Sequence, residues 1–291
     1  MSADLFNLSV QLSSAFKLAC LAELEALKPG NVHIFADGHG MVVQDFIKSA
    51  EASAAVIAQP QLSVGERIFQ SIAATWAAVE CNTNLGIVLL SAPLIQAALH
   101  GHKPTLRERV QDVLTGLTVT DAELTYQAII QASPAGLGQS ERHDVRMPPT
   151  VTLLEAMREA SQRDRIALQY VNGFVDVFDF GVRRYEEALQ RWPRPAWAAT
   201  AVYMGFLASF NDSHILRKYG ESIAMQVREE ARVHEQALLA LENPKTYQRN
   251  LLNFDADLKS RGLNPGTCAD LTVASLFVVA IEKIIANNSW A

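Results

Sequence analysis

Four polar segments interrupt an otherwise apolar chain, and each carries side chains suited to holding or transferring a phosphorylated group. The first is Lys28-Pro29-Gly30-Asn31-Val32-His33, followed by Asp37-Gly38-His39-Gly40. Its Pro-Gly pair turns the chain and leaves Lys28 at a helix end. The helix dipole alone favours a cation there. The same place also suits a phosphate-binding lysine, with His33, Asp37 or His39 nearby. The second segment is Glu80-Cys81-Asn82-Thr83-Asn84-Leu85-Gly86. Asn82, Thr83 and Asn84 read as an ordinary N-cap. The amides of a helix N-terminus also make an anion site. The third is Asn211-Asp212-Ser213-His214, then Arg217-Lys218-Tyr219-Gly220. Asp212 or Ser213 can cap a helix, and Arg217 and Lys218 can be solvated surface charges. Together, an acid, a histidine and two cations suit a metal-bound polyphosphate. The fourth is Asn264-Pro265-Gly266-Thr267-Cys268-Ala269-Asp270. Asp270 lies in a first helical turn, where the dipole favours it. A carboxylate leading into an apolar helix also needs a partner: a metal, a lysine or a substrate proton.

The elements that must position these residues are helical. Leu8, Leu12, Phe16, Cys20, Leu24 and Leu27 recur at spacings of three or four, which predicts a helix over 4–27. Further helices are expected over 43–59, 65–80, 85–98, 120–132, 152–189, 197–210, 213–241, 247–259 and 267–286. The segment 85–98 has no charged residue, so it should be buried on all sides. Together with 267–286 it reads either as core or as the interface of a homodimer. No sustained strand alternation and no internal repeat occurs. The pattern predicts an all-α, single compact domain over residues 1–291, of about ten helices. The stretch Ser133 to Pro149 is rich in proline, glycine and charge, and reads as a lid or binding loop.

Composition narrows the function. Hydrophobic residues make up 49% and charged residues 19%, which is a globular balance. The net charge of −6 does not suggest a nucleic-acid partner. It leaves an anionic substrate open, provided cations are placed locally. Cys20, Cys81 and Cys268 form no disulfide or zinc pattern, and a reducing cytoplasm is the simple reading. Met1 to Leu12 carries no targeting signal, Leu271 to Ile281 is too short to span a bilayer, and no membrane segment is expected. There is no G-x-x-x-x-G-K-[ST], no H-E-x-x-H and no G-x-S-x-G. The G-x-G at Gly136 to Gly138 lacks the third glycine and the preceding strand of a dinucleotide fingerprint. These readings give a helical protein with a polyphosphate site but no reaction.

The motifs add one. KPGNVH at 28–33, NTNLGIVLLSAPL at 82–94, DSHILRKYG at 212–220 and NPGTCADL at 264–271 resemble the successive motifs of the triphosphoribosyl-dephospho-CoA synthase family. The loop PAGLGQSERHDV and the helix TLLEAMREASQRDRIALQY resemble its branch in archaea and one-carbon-utilising bacteria. The resemblance covers about residues 15–285, and the order of four motifs makes it specific. It implies an all-α fold and transfer of the triphosphoribosyl group of ATP to 3′-dephospho-CoA, with release of adenine. The product is a prosthetic-group precursor.

The resemblance also implies roles for the residues gathered above. Lys28, Arg217 and Lys218 would hold the triphosphate, with Asn31 and Thr83 among the phosphate ligands. Asn82 and Asn84 would hold ribose or phosphate. Asp212 and Asp270 would be base or Mg²⁺ ligands, with Asp37 the next metal ligand. His33 or His214 would donate to adenine. The sequence departs from the citrate-lyase branch at this presumed site. Glu80-Cys81 stand where that branch has a glycine pair, and Pro265-Gly266-Thr267 stand where it has PGG. The alternatives are therefore ATP-dependent transfer to a pterin- or furan-type acceptor in one-carbon cofactor biosynthesis, or a non-catalytic nucleotide-binding protein.

Overall fold

The computed structural model describes residues 3–134 and 142–288. Fourteen α-helices, one π-helical segment and one 3₁₀ turn make up its regular structure. Among the described residues there is no strand, only two single β-bridges, His33 to Ala36 and Gly38 to Met41. The all-α expectation holds, with more and shorter helices than about ten.

In chain order the helices are α1 (Ala3–Glu25), α2 (Val43–Ile57), α3 (Val64–Val79), α4 (Leu85–His100), α5 (Leu106–Thr115) and α6 (Val119–Ala132). After these come α7 (Leu153–Ala160), α8 (Arg165–Asn172), the π segment (Asp176–Val182), α9 (Arg183–Arg191) and α10 (Pro195–Ser209). The last four are α11 (Ser213–Tyr219), α12 (Glu221–Leu239), α13 (Gln248–Ser260) and α14 (Gly266–Asn288).

Several starts follow from local chemistry. Ser63, Thr105, Thr118 and Thr152 each accept the amide three residues on, and an acid at that position bonds back to the cap amide. Each such box satisfies two amides that a helix start leaves orphaned. Where the apolar pattern predicts one helix over 152–189, the chain breaks twice and then changes from π to α winding without a gap. Asp164 caps α8 through the amides of Ile166 and Ala167, and Gly173, at φ +70°, ends it. The π segment then brings Gly181 so close to α14 that any side chain there would overlap the Ser275 hydroxyl. The expected helix over 213–241 is likewise two, parted at Gly220, φ +85°. The π segment packs on α14, so the apolar period runs on through these breaks.

The core forms one continuous cluster. α4, α10 and α14 are buried on nearly every side, and α14 packs against α1, α4, α10 and the π segment. Segment 85–98 and residues 267–281 of the second segment are therefore core, whereas α14 from Glu282 onward is partly or fully exposed. By length and composition α1 is apolar enough to cross a membrane. In this fold it lays Leu12, Phe16, Cys20 and Leu24 into the core against α2, α10 and α14.

Candidate active site

The two Pro-Gly turns interlock. Leu27 N–H donates to the Thr200 hydroxyl (3.0 Å), Tyr203 O–H donates to Pro29 O (2.6 Å), and Gly30 N–H donates to Asp255 (2.9 Å). Gly30 has φ +85°, and a Cβ there would sit 2.8 Å from Pro265 Cδ, so only glycine fits. Asn31 Nδ2 donates to Asn264 Oδ1 at 2.8 Å, joining the first motif to the fourth.

Asp212 joins the third motif to the fourth. Its Oδ1 accepts from the amides of His214 and Ile215 (2.9 and 3.2 Å), and its Oδ2 accepts from Cys268 N–H (2.9 Å). Arg217 meets Asp164 at 3.1 Å, and Arg165 N–H donates to the Ser213 hydroxyl at 2.8 Å. The second motif reaches the fourth at Gly86, where a Cβ would overlap the Asp270 carboxylate. The starts of α4, α8, α11 and α14 thus converge.

They converge on a cavity of about 530 Å³. Of the expected site residues, Asn31, Asn82, Thr83, Asn84, His214, Arg217 and Asp270 line it. Much of the rest of its wall is apolar, from Phe46, Ile129, Leu153, Met157 and Ile166. Three of the lining side chains are already engaged. Asn82 Oδ1 accepts from Leu85 N–H (3.2 Å), Thr83 donates to Ser49 (2.5 Å), and Asn84 Nδ2 donates to Ser53 (3.2 Å). What α4 offers the cavity is therefore chiefly its first turn and the dipole behind it.

Five expected site residues stand off the cavity wall. Lys28 is fully buried, and its ammonium donates to Glu23 and to Asn31 Oδ1 (3.2 Å). His33 is also fully buried, with Nε2 3.3 Å from Asp255. Asp37 is exposed and accepts Val43 N–H at the start of α2 (2.9 Å). Lys218 is exposed beside the Tyr219 ring. Asp212 sits behind the wall in its capping role. His39 lies outside too, with Nε2 2.7 Å from Gly30 O.

The expected Mg²⁺ ligands Asp37, Asp212 and Asp270 do not converge. Asp37 lies away from the cavity, and Asp212 gives both oxygens to backbone amides. Among the described residues no group of three His, Cys, Asp or Glu is placed to hold a metal. These side chains do not fit a resident Mg²⁺ cage, and no step is assigned to one.

The electrostatics single out Asp270. It half faces the cavity, and among the described residues it makes no hydrogen bond or ion pair. Its pKa lies well above the usual carboxylate range. Burial is the main cause, followed by the carboxylates of Glu23, Asp212 and Asp164, with Lys28 opposing. His214 is pushed down to about 4 by burial and by Arg217, Lys218 and His39, so it is a neutral donor–acceptor at neutral pH.

Glu23, Asp164, Arg142 and Arg163 also line the cavity and escaped the sequence reading. Glu23 carried a signal, because it is an acid within the apolar stripe of α1, between Cys20 and Leu24. Asp164 was hidden by the assumption of one long helix. Of the expected binding loop Ser133–Pro149, residues 135–141 lie outside the described residues. Pro134 and Arg142 to Val145 line the cavity, and Tyr126 O–H donates to His143 O at 3.0 Å.

Comparison with known proteins bears on what this cavity does. No curated protein matches the sequence. The fold is similar to a crystal structure assigned as a triphosphoribosyl-dephospho-CoA synthase from Archaeoglobus fulgidus. The TM-score is 0.63 and the identity 21%, over 82% of this chain and 98% of that one. The profile of the ATP:dephospho-CoA triphosphoribosyl transferase family matches residues 9–289. The four motifs that meet around the cavity all lie within that match, and the chain belongs to this family.

Proposed function

We propose that the cavity transfers the triphosphoribosyl group of ATP to 3′-dephospho-CoA, and that Asp270 is its acid. The transferase reading rests on the family match; the residue roles rest on the geometry. In this reaction the ribose C1′–N9 bond breaks and its electron pair leaves with adenine. An acceptor oxygen bonds to C1′ and loses its proton. The transition state resembles an oxocarbenium ion, as in glycoside hydrolysis. Such a site needs an acid for the leaving base and cations for the phosphates.

The observation that carries the assignment is the unpaired Asp270 carboxyl opening into the cavity among other carboxylates. Held protonated by that surrounding, it can give its proton to departing adenine. Arg142, Arg163 and Arg217 supply the triphosphate contacts that the sequence reading gave to Lys28 and Lys218. Neutral His214 is a hydrogen-bond partner for the base or the ribose. A divalent cation would arrive on the triphosphate.

The test is adenine release from ATP and Mg²⁺, measured by chromatography with and without dephospho-CoA. We expect release that depends on dephospho-CoA and a product heavier by a triphosphoribosyl unit. Asp270→Asn should lower the rate about 10²–10⁴-fold with ATP binding retained. No adenine from the wild type would overturn the reaction. An Asp270→Asn enzyme at the wild-type rate would remove Asp270 from the acid role.

A further inference from the structure

A buried lysine–glutamate pair beside the cavity has no part in the assignments above. Glu23 is only 4% exposed, yet it lines the cavity. Lys28 has no exposure at all and does not reach the wall. Its ammonium meets Glu23 Oε1 and the Asn31 carboxamide oxygen, and no other acceptor among the described residues. Asn31 is fixed in turn by Asn264, six residues before Asp270. Glu23 Oε2 makes no hydrogen bond among the described residues, so one oxygen is held from behind and the other is left over.

This arrangement is a poor way to fill space. Two buried charges pay desolvation that their attraction only partly returns, and an apolar pair would pack as well. A carboxylate oriented by a fully enclosed cation and still touching a cavity is suited to chemistry in that cavity. The helices that carry Glu23 and Asp270, α1 and α14, pack directly on each other.

We propose that Glu23 is the base of the transfer, the carboxylate that removes the proton of the acceptor hydroxyl as that oxygen bonds to C1′, with Lys28 as its positioning residue. The proposal rests on the transferase reading above. In the step, the acceptor O–H proton passes to Glu23 and the O–C1′ bond forms. The C1′–N9 bond breaks, and Asp270 protonates adenine. The proton on Glu23 then returns through solvent to Asp270, and both groups are reset.

Burial raises both carboxyls, but only Glu23 has a bonded cation to favour its ionised form. Burial raises the Glu23 carboxyl, and Lys28 opposes that rise through its charge and its hydrogen bond. Asp270 has no such bond, and Glu23, Asp212 and Asp164 add to its rise. The other titratable groups facing this cluster include Cys20 on α1, whose thiol is pushed up by burial and by Glu23, and Tyr203 on α10, whose hydroxyl is raised chiefly by burial and in part by Glu23. They also include Lys259 on α13, which acts on Lys28, and His33, which feels the Lys28 charge.

Glu23→Gln, Lys28→Met and the double variant, beside the wild type, test this. Adenine release with dephospho-CoA, ATP binding by titration and the pH–rate profile are measured on each. Glu23→Gln should bind ATP as the wild type does, turn over about 10²–10⁴-fold more slowly, and lose the rise in rate on the acid side of the profile. The double variant removes both buried charges, so it should recover thermal stability lost by either single variant while staying slow. Wild-type turnover in Glu23→Gln, or in the double variant, would reduce the pair to scaffolding and overturn the proposal. Those results require a wild type that releases adenine, so they are distinct from failure of the transferase reading, in which the wild type itself releases none.

Discussion

Asp270 holds a carboxyl where ionisation is disfavoured, and this sets function against stability at one residue. Its folded-state pKa lies well above the ordinary 3.8, through burial and its acidic neighbours. The native state therefore binds this proton more tightly than the unfolded chain does. The stability it contributes is complete below the ordinary value and is lost as pH rises through the folded one. An asparagine side chain in its place would keep the shape without ionising. Asp270→Asn should accordingly melt higher than the wild type at pH 8, with the difference shrinking toward pH 4, while turnover falls. Thermal melts at both pH values check this. A variant that melts lower at pH 8 would mean that the native carboxylate is well paired.

At the scale of elements, the site is a junction of helix starts, and Asp212 ties two of them. It caps α11 and reaches across to the first turn of α14 at Cys268. Asp212→Asn can keep the α11 bonds through its one remaining oxygen. It then turns an N–H toward the Cys268 N–H, leaving that buried amide unmet. The expected cost is about 1–3 kcal/mol, read as a lower urea midpoint. Because α14 carries Asp270, turnover should fall as well.

Much at this scale was legible in the sequence. The helix breaks at Pro29-Gly30, the charge-free α4 and the buried α14 follow from period and punctuation. The breaks at Asp164 and Gly173 were missed because the apolar period continues through them. Within the site, motif order showed which residues gather, but not which way each points. Lys28 and Glu23 illustrate this. One turn after α1 ends, the chain folds back, so the lysine lies beneath the acid and the acid is the one that reaches the cavity.

For the whole molecule, acid sensitivity should trace in part to His214. Its folded pKa of about 4 lies below the ordinary 6.5, so the unfolded chain binds the proton more readily in between. This histidine's contribution is full above about 6.5 and is lost as pH falls toward 4. His214→Asn should flatten that part of the stability curve, compared by urea unfolding at pH 7.5 and pH 5. Equal slopes in both proteins would mean that the imidazole is already solvated in the fold.

The interlocked turns have one more consequence, for the order of synthesis. Gly30 is seated against Pro265, and Asn31 against Asn264, so the opening and closing parts of this fold make one wall together. A growing chain emerging from the ribosome has Glu23 and Lys28 long before it has Asp270. Contacts this distant in sequence form late. Until residues 264–288 have emerged, the turn that carries Lys28 and Asn31 lacks the wall it is seated against at Asn264 and Pro265. Nucleotide binding should therefore appear only once residues 264–288 have emerged.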